Sequence, residues 1–335
     1  MHSRKLGSFS VSALGLGCMN YSMGYGPRAD NGTIDKLLNG AHDQGYTFFD
    51  TAAMYGMGHS EEMIGKYLSS HRNEITLTSK CGIFKNSEGK TEINGHPDVL
   101  QKTCEDSLKR LKTDVIDLYY LHRIDPNIPV EDSVGALSRL VEQGKIQGIG
   151  LSEVSSDSLH RAHNVHPIMA LQSEYSLWSR TPERKILDAC RQLGVTFVAF
   201  SPLGRQFLTG QSDNTNTLDQ VSDYENFRAT IARPRFEPEN FDKNTKLLVP
   251  FAEIAKQNDC SMAQLALAWL LAQGEDIIPI PGTSNIVHMK ENAAAGDLQL
   301  SAETIVELDQ LINDETVAGA RYTDALMTSI DSEKD

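Results

Sequence analysis

Cysteine is scarce in this chain of 335 residues: Cys18, Cys81, Cys104, Cys190 and Cys260 make five. They are odd in number, scattered, and form no Cys-x-x-Cys pair, which argues against a disulfide framework or a cysteine zinc site. No metal is expected. No apolar run approaches the ~18 residues that a membrane span requires. Residues 1–7 carry charge with no apolar stretch behind it, so no secretory signal is read and a cytoplasmic location with reduced cysteines is expected. Positive charge is also short: 31 Lys and Arg against 45 Asp and Glu leave a net charge of −14. Such a chain has no electrostatic footprint for nucleic acid and is repelled by anionic membrane surfaces. An anionic ligand therefore needs a local cluster of amides or basic groups.

What the sequence does contain is alternation. Eight short apolar runs, at residues 13–17, 47–49, 74–79, 115–121, 146–151, 167–171, 195–200 and 277–280, read as strands buried on both faces. Helical patterns lie between them. Residues 32–44 place Ile34, Leu37, Leu38 and Ala41 on one face. Residues 98–111 do the same with Leu100, Thr103, Cys104, Leu108 and Leu111. Residues 130–142 follow Pro129 and stop before Gly144, and 181–193 open at Thr181-Pro182, with Thr181 as the N-cap, and stop at Gly194. The pattern predicts an α/β fold, a (β/α)8 TIM barrel. An open doubly wound sheet is the rival, but Gly-x-Gly-x-x-Gly is missing after the first strand: Gly15-Leu16-Gly17-Cys18-Met19-Asn20 lacks the third glycine.

We expect one domain over residues 1–335: a hairpin plug at 1–12 turning at Gly7-Ser8, the barrel at 13–314, and a C-terminal loop and tail at 315–335. Long top-face loops are expected at 82–96 and from 203 to about 244. The acidic tail 331–335 is expected to be disordered.

In a barrel, residues just past the strand C-termini share one active site. Asp50, Lys80 and His122 occupy such positions, and Tyr55 follows Asp50 by a short loop. The set suits a proton donor with its tuning partners. Tyrosine is a reluctant acid, with a pKa of ~10. An ammonium at ~4 Å, in an effective dielectric of ~20, attracts the phenolate by ~4 kcal/mol. That sets an upper bound of ~3 pKa units on the lowering of Tyr55. Asp50 would keep Lys80 charged, and His122 could hydrogen-bond a substrate oxygen. Reduction of a carbonyl, with a proton from Tyr55, is the reaction class this implies.

The sequence resembles the aldo-keto reductase superfamily over nearly its whole length. The resemblance is carried by Leu14-Gly15-Leu16-Gly17-Cys18-Met19, Phe49-Asp50-Thr51-Ala52-Ala53-Met54-Tyr55-Gly56, Leu121-His122-Arg123-Ile124-Asp125 and Val141-Glu142-Gln143-Gly144-Lys145-Ile146. Gln172-Ser173-Glu174-Tyr175, Ser201-Pro202-Leu203-Gly204-Arg205 and Pro279-Ile280-Pro281-Gly282-Thr283 are most similar to the branch that includes perakine reductase. The resemblance implies NADPH as cofactor, with NADH as a possible substitute, and a small-molecule carbonyl substrate. It implies a catalytic tetrad of Asp50, Tyr55, Lys80 and His122. It also implies that Ser152 and Gln172 hold the nicotinamide carboxamide, where the family often has Asn at the place of Glu153. Phe200 takes the place of a stacking aromatic. Ser201, Leu203, Gly204 and Arg205 would lie beneath the pyrophosphate. Gly282, Thr283, Ser284, His288, Glu291 and Asn292 would surround the adenosine 2′-phosphate and adenine, with His288 where Arg is common. Tyr21, Phe84, Trp178, Tyr224 and Phe227 are candidates for the substrate pocket. Potassium-channel β subunits also resemble this family, so a cofactor-sensing regulatory subunit is the alternative function.

Overall fold

The computed structural model describes residues 1–86, 88–210, 228, 230–328 and 330–335. A hairpin of β1 (Ser3–Leu6) and β2 (Phe9–Ser12) turns at Gly7-Ser8. The barrel strands are β3 (Leu16–Gly17), β4 (Phe48–Asp50), β5 (Thr76–Cys81), β8 (Leu118–Leu121), β9 (Ile149–Ser152), β10 (Ile168–Glu174), β11 (Thr196–Phe200) and β12 (Ile277–Pro279). A second hairpin, β6 (Ile83–Lys85) with β7 (Thr91–Ile93), stands between β5 and β8.

All eight apolar runs thus become parallel neighbours in one sheet, in the order β3-β4-β5-β8-β9-β10-β11-β12. The two ends meet. Gly17 bridges to Gly282, and the Gly15 and Gly17 amides donate to the carbonyls of Pro279 and Pro281 at 3.0 and 3.1 Å. The seam demands glycine: a Cβ on Gly17 would lie 2.8 Å from the Ile280 carbonyl oxygen. The sheet is therefore a barrel, and it is filled. Phe48, Leu118, Tyr120, Ala170, Val198 and Ile278 point into one interior cluster, and Leu6 and Val11 of the first hairpin plug it from below.

Helix packing follows the sequence closely in two places. Helix α1 (Asn31–Asp43) is capped by Asp30 and buries Ile34, Leu37, Leu38 and Ala41. The helix Val130–Glu142 has the expected bounds and is followed by Gly144 at φ 69°. The helix Pro97–Leu111 buries Leu100, Cys104, Ser107 and Leu111, so Ser107 joins the buried face.

Two expectations need correction. Thr181 does not cap a long helix: it lies in a 3-10 turn, Thr181–Glu183, and the α-helix begins at Ile186. The tail at 331–335 is ordered. Its 3-10 turn Asp331–Lys334 docks on the N-terminus of the helix Ser156–Val165. Asp331 accepts from the Ser155 amide and hydroxyl at 2.8 and 2.9 Å, and Asp335 accepts from the Ser156 amide at 3.0 Å. Carboxylates belong at that end of a helix, where unpaired amides and the positive end of the dipole lie. Read as charge alone, the acidic run concealed this partner.

Candidate active site

The C-terminal ends of the strands open into a cavity of about 500 Å³. Strand β4 delivers Asp50, β5 delivers Lys80, and His122 follows β8; all three are buried. Tyr55 enters from the turn after β4. Lys80 lies at the centre. Its Nζ pairs with Asp50 Oδ1, donates to the Thr51 carbonyl at 2.8 Å, and reaches the Tyr55 hydroxyl at 3.4 Å. Asp50 Oδ2 accepts from Thr78 Oγ1 and Gln172 Nε2, both at 2.8 Å. The carboxylate is thus saturated and fixes the lysine. The Tyr55 and His122 rings meet edge to face, with centroids 5.9 Å apart.

The electrostatics differ from the sequence expectation at Tyr55. Burial pushes the phenol up, the Lys80 ammonium pulls it down, and Asp50 pushes it up again; the balance lies above the ordinary value. The lysine's pull was expected to win, but its charge is already spent on Asp50. Burial lowers Lys80, yet Asp50 and Tyr55 more than offset this and its pKa is raised. His122 is pushed well below its ordinary value by burial, then by Arg123 and Lys80, so it is a neutral imidazole. Its Nδ1 is buried and has no hydrogen-bond partner among the described residues.

The cavity wall brings together most of the other candidates: Ser152, Gln172, Phe200, Ser201, Leu203, Arg205 and Gly282 all line it. Ser152 Oγ accepts from Arg123 Nη1 at 3.0 Å. Gly204 does not line the wall but makes the turn beneath it, at φ 54°, and Ser201, Arg205 and Gln206 share that left-handed conformation. Non-glycine residues rarely adopt it, and such strain clusters at ligand sites. Thr283, Ser284, His288, Glu291 and Asn292 lie outside the cavity wall, on the turn and helix (Ile286–Ala294) that follow Gly282. Thr283 Oγ1 accepts from the Asn285 amide at 3.0 Å, and Asn285 caps that helix.

Three substrate-pocket candidates do not line the cavity. Tyr21 is fully buried and its hydroxyl accepts from Ser60 at 3.0 Å. Trp178 is buried, stacked on Phe207 with centroids 4.0 Å apart. Phe84 is passed over, while its hairpin neighbours Ile83, Lys85 and Ile93 face the cavity. Tyr224 and Phe227 fall outside the described residues. The wall is instead apolar through Met19, Met23, Met54, Ile231, Leu326 and Ile330, with Tyr25 and Tyr322. Sequence reasoning missed these because they arrive from loops and the C-terminal segment. The segment Arg233–Phe236 is a short helix that anchors Trp178: the Arg235 guanidinium lies 5.0 Å from the indole centroid and donates to Ser179 Oγ at 2.8 Å.

Glu153, at φ 56°, turns away from the cavity. Arg321 holds its carboxylate, Ser332 donates to it, and Arg321 also pairs with Glu174, which binds Arg205 at 2.7 Å. Burial would raise the Glu153 carboxyl, but Arg321 more than offsets it and brings its pKa down to about 2.

The aldo/keto reductase family model matches residues 13–313. This chain belongs to the aldo/keto reductase family. It is 41% identical over 327 residues to probable aldo-keto reductase 1 of Glycine max, covering 96% of this chain and 92% of that one. It is 42% identical over 326 residues to the aldo-keto reductase yakc [NADP(+)] of Schizosaccharomyces pombe, covering 96% and 94%. Among solved structures, the glycerol dehydrogenase AKR11B4 of Gluconobacter oxydans matches with a TM-score of 0.81 at 28% identity, covering 92% of this chain and 94% of that one. An aldo-keto reductase of Klebsiella pneumoniae in complex with NADPH matches with a TM-score of 0.72 at 27% identity, covering 95% and 98%. No helix among the described residues is long and apolar enough to cross a membrane.

Proposed function

We propose that this member of the family is an NADPH-dependent reductase of aldehydes and ketones. The observation that carries the reading is the convergence of Tyr55, Asp50 and neutral His122 on one largely apolar cavity, with buried Lys80 behind them bound to Asp50 and Tyr55. The wall suits a dinucleotide as well. It offers the Ser152 hydroxyl, the Gln172 amide, the Phe200 ring and the Arg205 guanidinium, beside the close Gly17–Gly282 seam. When bound, NADPH supplies the hydride that reduces the carbonyl carbon. The relative named for NADP(+) and the neighbour solved with NADPH support this choice.

The chain's own residues supply the proton and the charge control. Tyr55 keeps its proton at neutral pH, as a donor must, because burial holds its pKa high. Lys80 stays cationic beside it and stabilises the phenolate left once the proton has moved to the carbonyl oxygen. His122 brings a neutral imidazole close to that same proton donor. A neutral imidazole can donate one hydrogen bond to the carbonyl oxygen without competing as an acid. Asp50, buried and three times hydrogen-bonded, holds Lys80 in place. Apolar groups around the opening exclude water.

The test is the absorbance decay of NADPH with a panel of aldehydes and ketones. Turnover with at least one carbonyl class is expected. Tight NADPH binding with no turnover across the panel would contradict the reading and favour the cofactor-sensing subunit.

A further inference from the structure

On the opposite end of the barrel, three side chains from two neighbouring strand-entry segments converge. His42 lies in the last turn of α1, and His71 and Glu74 lie in the 3-10 segment Ser69–Glu74 that leads into β5. His42 Nε2 lies 2.9 Å from Glu74 Oε2, and His71 Nδ1 lies 3.4 Å from Glu74 Oε1. The two imidazole rings lie tilted at 33° to one another with centroids 4.1 Å apart, and one ligand atom from each residue falls within 4.8 Å of the others.

We propose that His42, His71 and Glu74 form a structural site for a divalent late first-row transition metal of the zinc type. The donor set is two imidazole nitrogens and a carboxylate, which suits zinc and its neighbours better than magnesium or calcium. Tetrahedral ligands at ~2.0–2.1 Å from zinc lie ~3.4 Å apart, the separation of His71 Nδ1 from Glu74 Oε1; the 2.9 Å contact of His42 Nε2 with the other carboxylate oxygen would open by about half an ångström to admit the ion. Glu74 and His71 are partly exposed, at 59% and 32%, so the ligands can close on an ion without moving the core. The C-terminal end of a helix adds partial negative charge, and the net charge of −14 favours cations throughout.

The placement points to stability rather than catalysis. Residues 42 and 74 precede β4 and β5, which pair through Phe48 and Thr76, while Asp50 and Lys80 leave those strands at the other end. The metal would clip two adjacent strand–helix units at the barrel's bottom face, where barrels place stability rather than chemistry. The sequence did not suggest it, since His42 precedes the nearby pair His71 and Glu74 by 29 residues or more, and only the fold brings the three together.

The experiment compares thermal unfolding of the chelator-treated full chain with and without ZnCl2, with MgCl2 as the control. Zinc at ~100-fold above its Kd should raise Tm by ~5 °C, and magnesium should not. The His42→Ala/His71→Ala double variant should lose the zinc shift. Glu74→Gln, a milder surface change, should weaken zinc binding by ~10-fold or more in calorimetry. No zinc shift in the wild-type chain, or an equal shift in the double variant, would overturn the proposal.

Discussion

Arg321 grips Glu153 with both terminal nitrogens, at 3.1 and 2.5 Å, and neither residue is appreciably exposed. The pair ties the C-terminal segment, whose Tyr322, Leu326 and Ile330 line the cavity, to the end of β9, where Ser152 also lines it.

Removing one partner should therefore be costly. Arg321→Met leaves Glu153 buried without its counterion, and breaking such a pair costs ~3–5 kcal/mol. Chemical denaturation should register a loss of that size, with a loosened cavity and a raised KM. A loss under ~1 kcal/mol would show that the tail is not held this way.

The same pair sets an acid limit. Glu153 has a folded pKa of about 2, below its ordinary value of 4.5, so its contribution is full above about 4.5 and is lost as pH falls through about 2. His122 acts in the same direction from higher pH: buried as a neutral base, it costs stability once the unfolded chain takes up protons below 6.5. Denaturation followed from pH 8 to pH 3 should show stability falling in these two stages. Glu153→Gln should shrink the lower stage, to which Glu174 and Asp331, also held below their ordinary values by their partners, contribute the rest, and should keep the upper.

Lys80→Met keeps length and removes the charge that faces both Asp50 and Tyr55. Turnover should fall by ~10²-fold or more. His122→Ala should instead change the preference among carbonyl substrates as well as the rate. A silent Lys80→Met beside an inactive His122→Ala would make the histidine the acid.

Cofactor choice is testable at His288. No Lys or Arg lies between Gly282 and His288, and we propose that His288, on the helix that starts at Ile286, takes part in holding the 2′-phosphate. His288→Arg adds a permanent, bidentate cation. It should raise the NADPH-to-NADH ratio of kcat/KM. An unchanged ratio would move the phosphate contact to another residue.

Much of the barrel was legible because most strands are short apolar runs that end in or at a polar residue, as in Phe48-Phe49-Asp50. Asp50, Lys80 and His122 could be grouped from that position alone. Long-range geometry was not legible. Nothing local in Arg321 announces a partner 168 residues away, and the acidic tail reads as solvated until the Ser155 and Ser156 amides are seen beneath it. Trp178 and Tyr21 have the composition of pocket residues, but both pack inward. The Tyr55 error was one of balance: the sequence named the lysine that lowers the phenol's pKa but gave no measure of the burial that raises it.

The central claim is that Tyr55 donates the proton, and Tyr55→Phe tests it most directly. The substitution removes one hydroxyl, 3.4 Å from Lys80, and leaves the ring against His122. Positioned acid catalysis is worth ~10²–10⁴-fold, so kcat for the best aldehyde should fall by at least about that, while NADPH affinity from fluorescence titration stays near wild type. Near-wild-type turnover by the purified, folded variant would contradict the account.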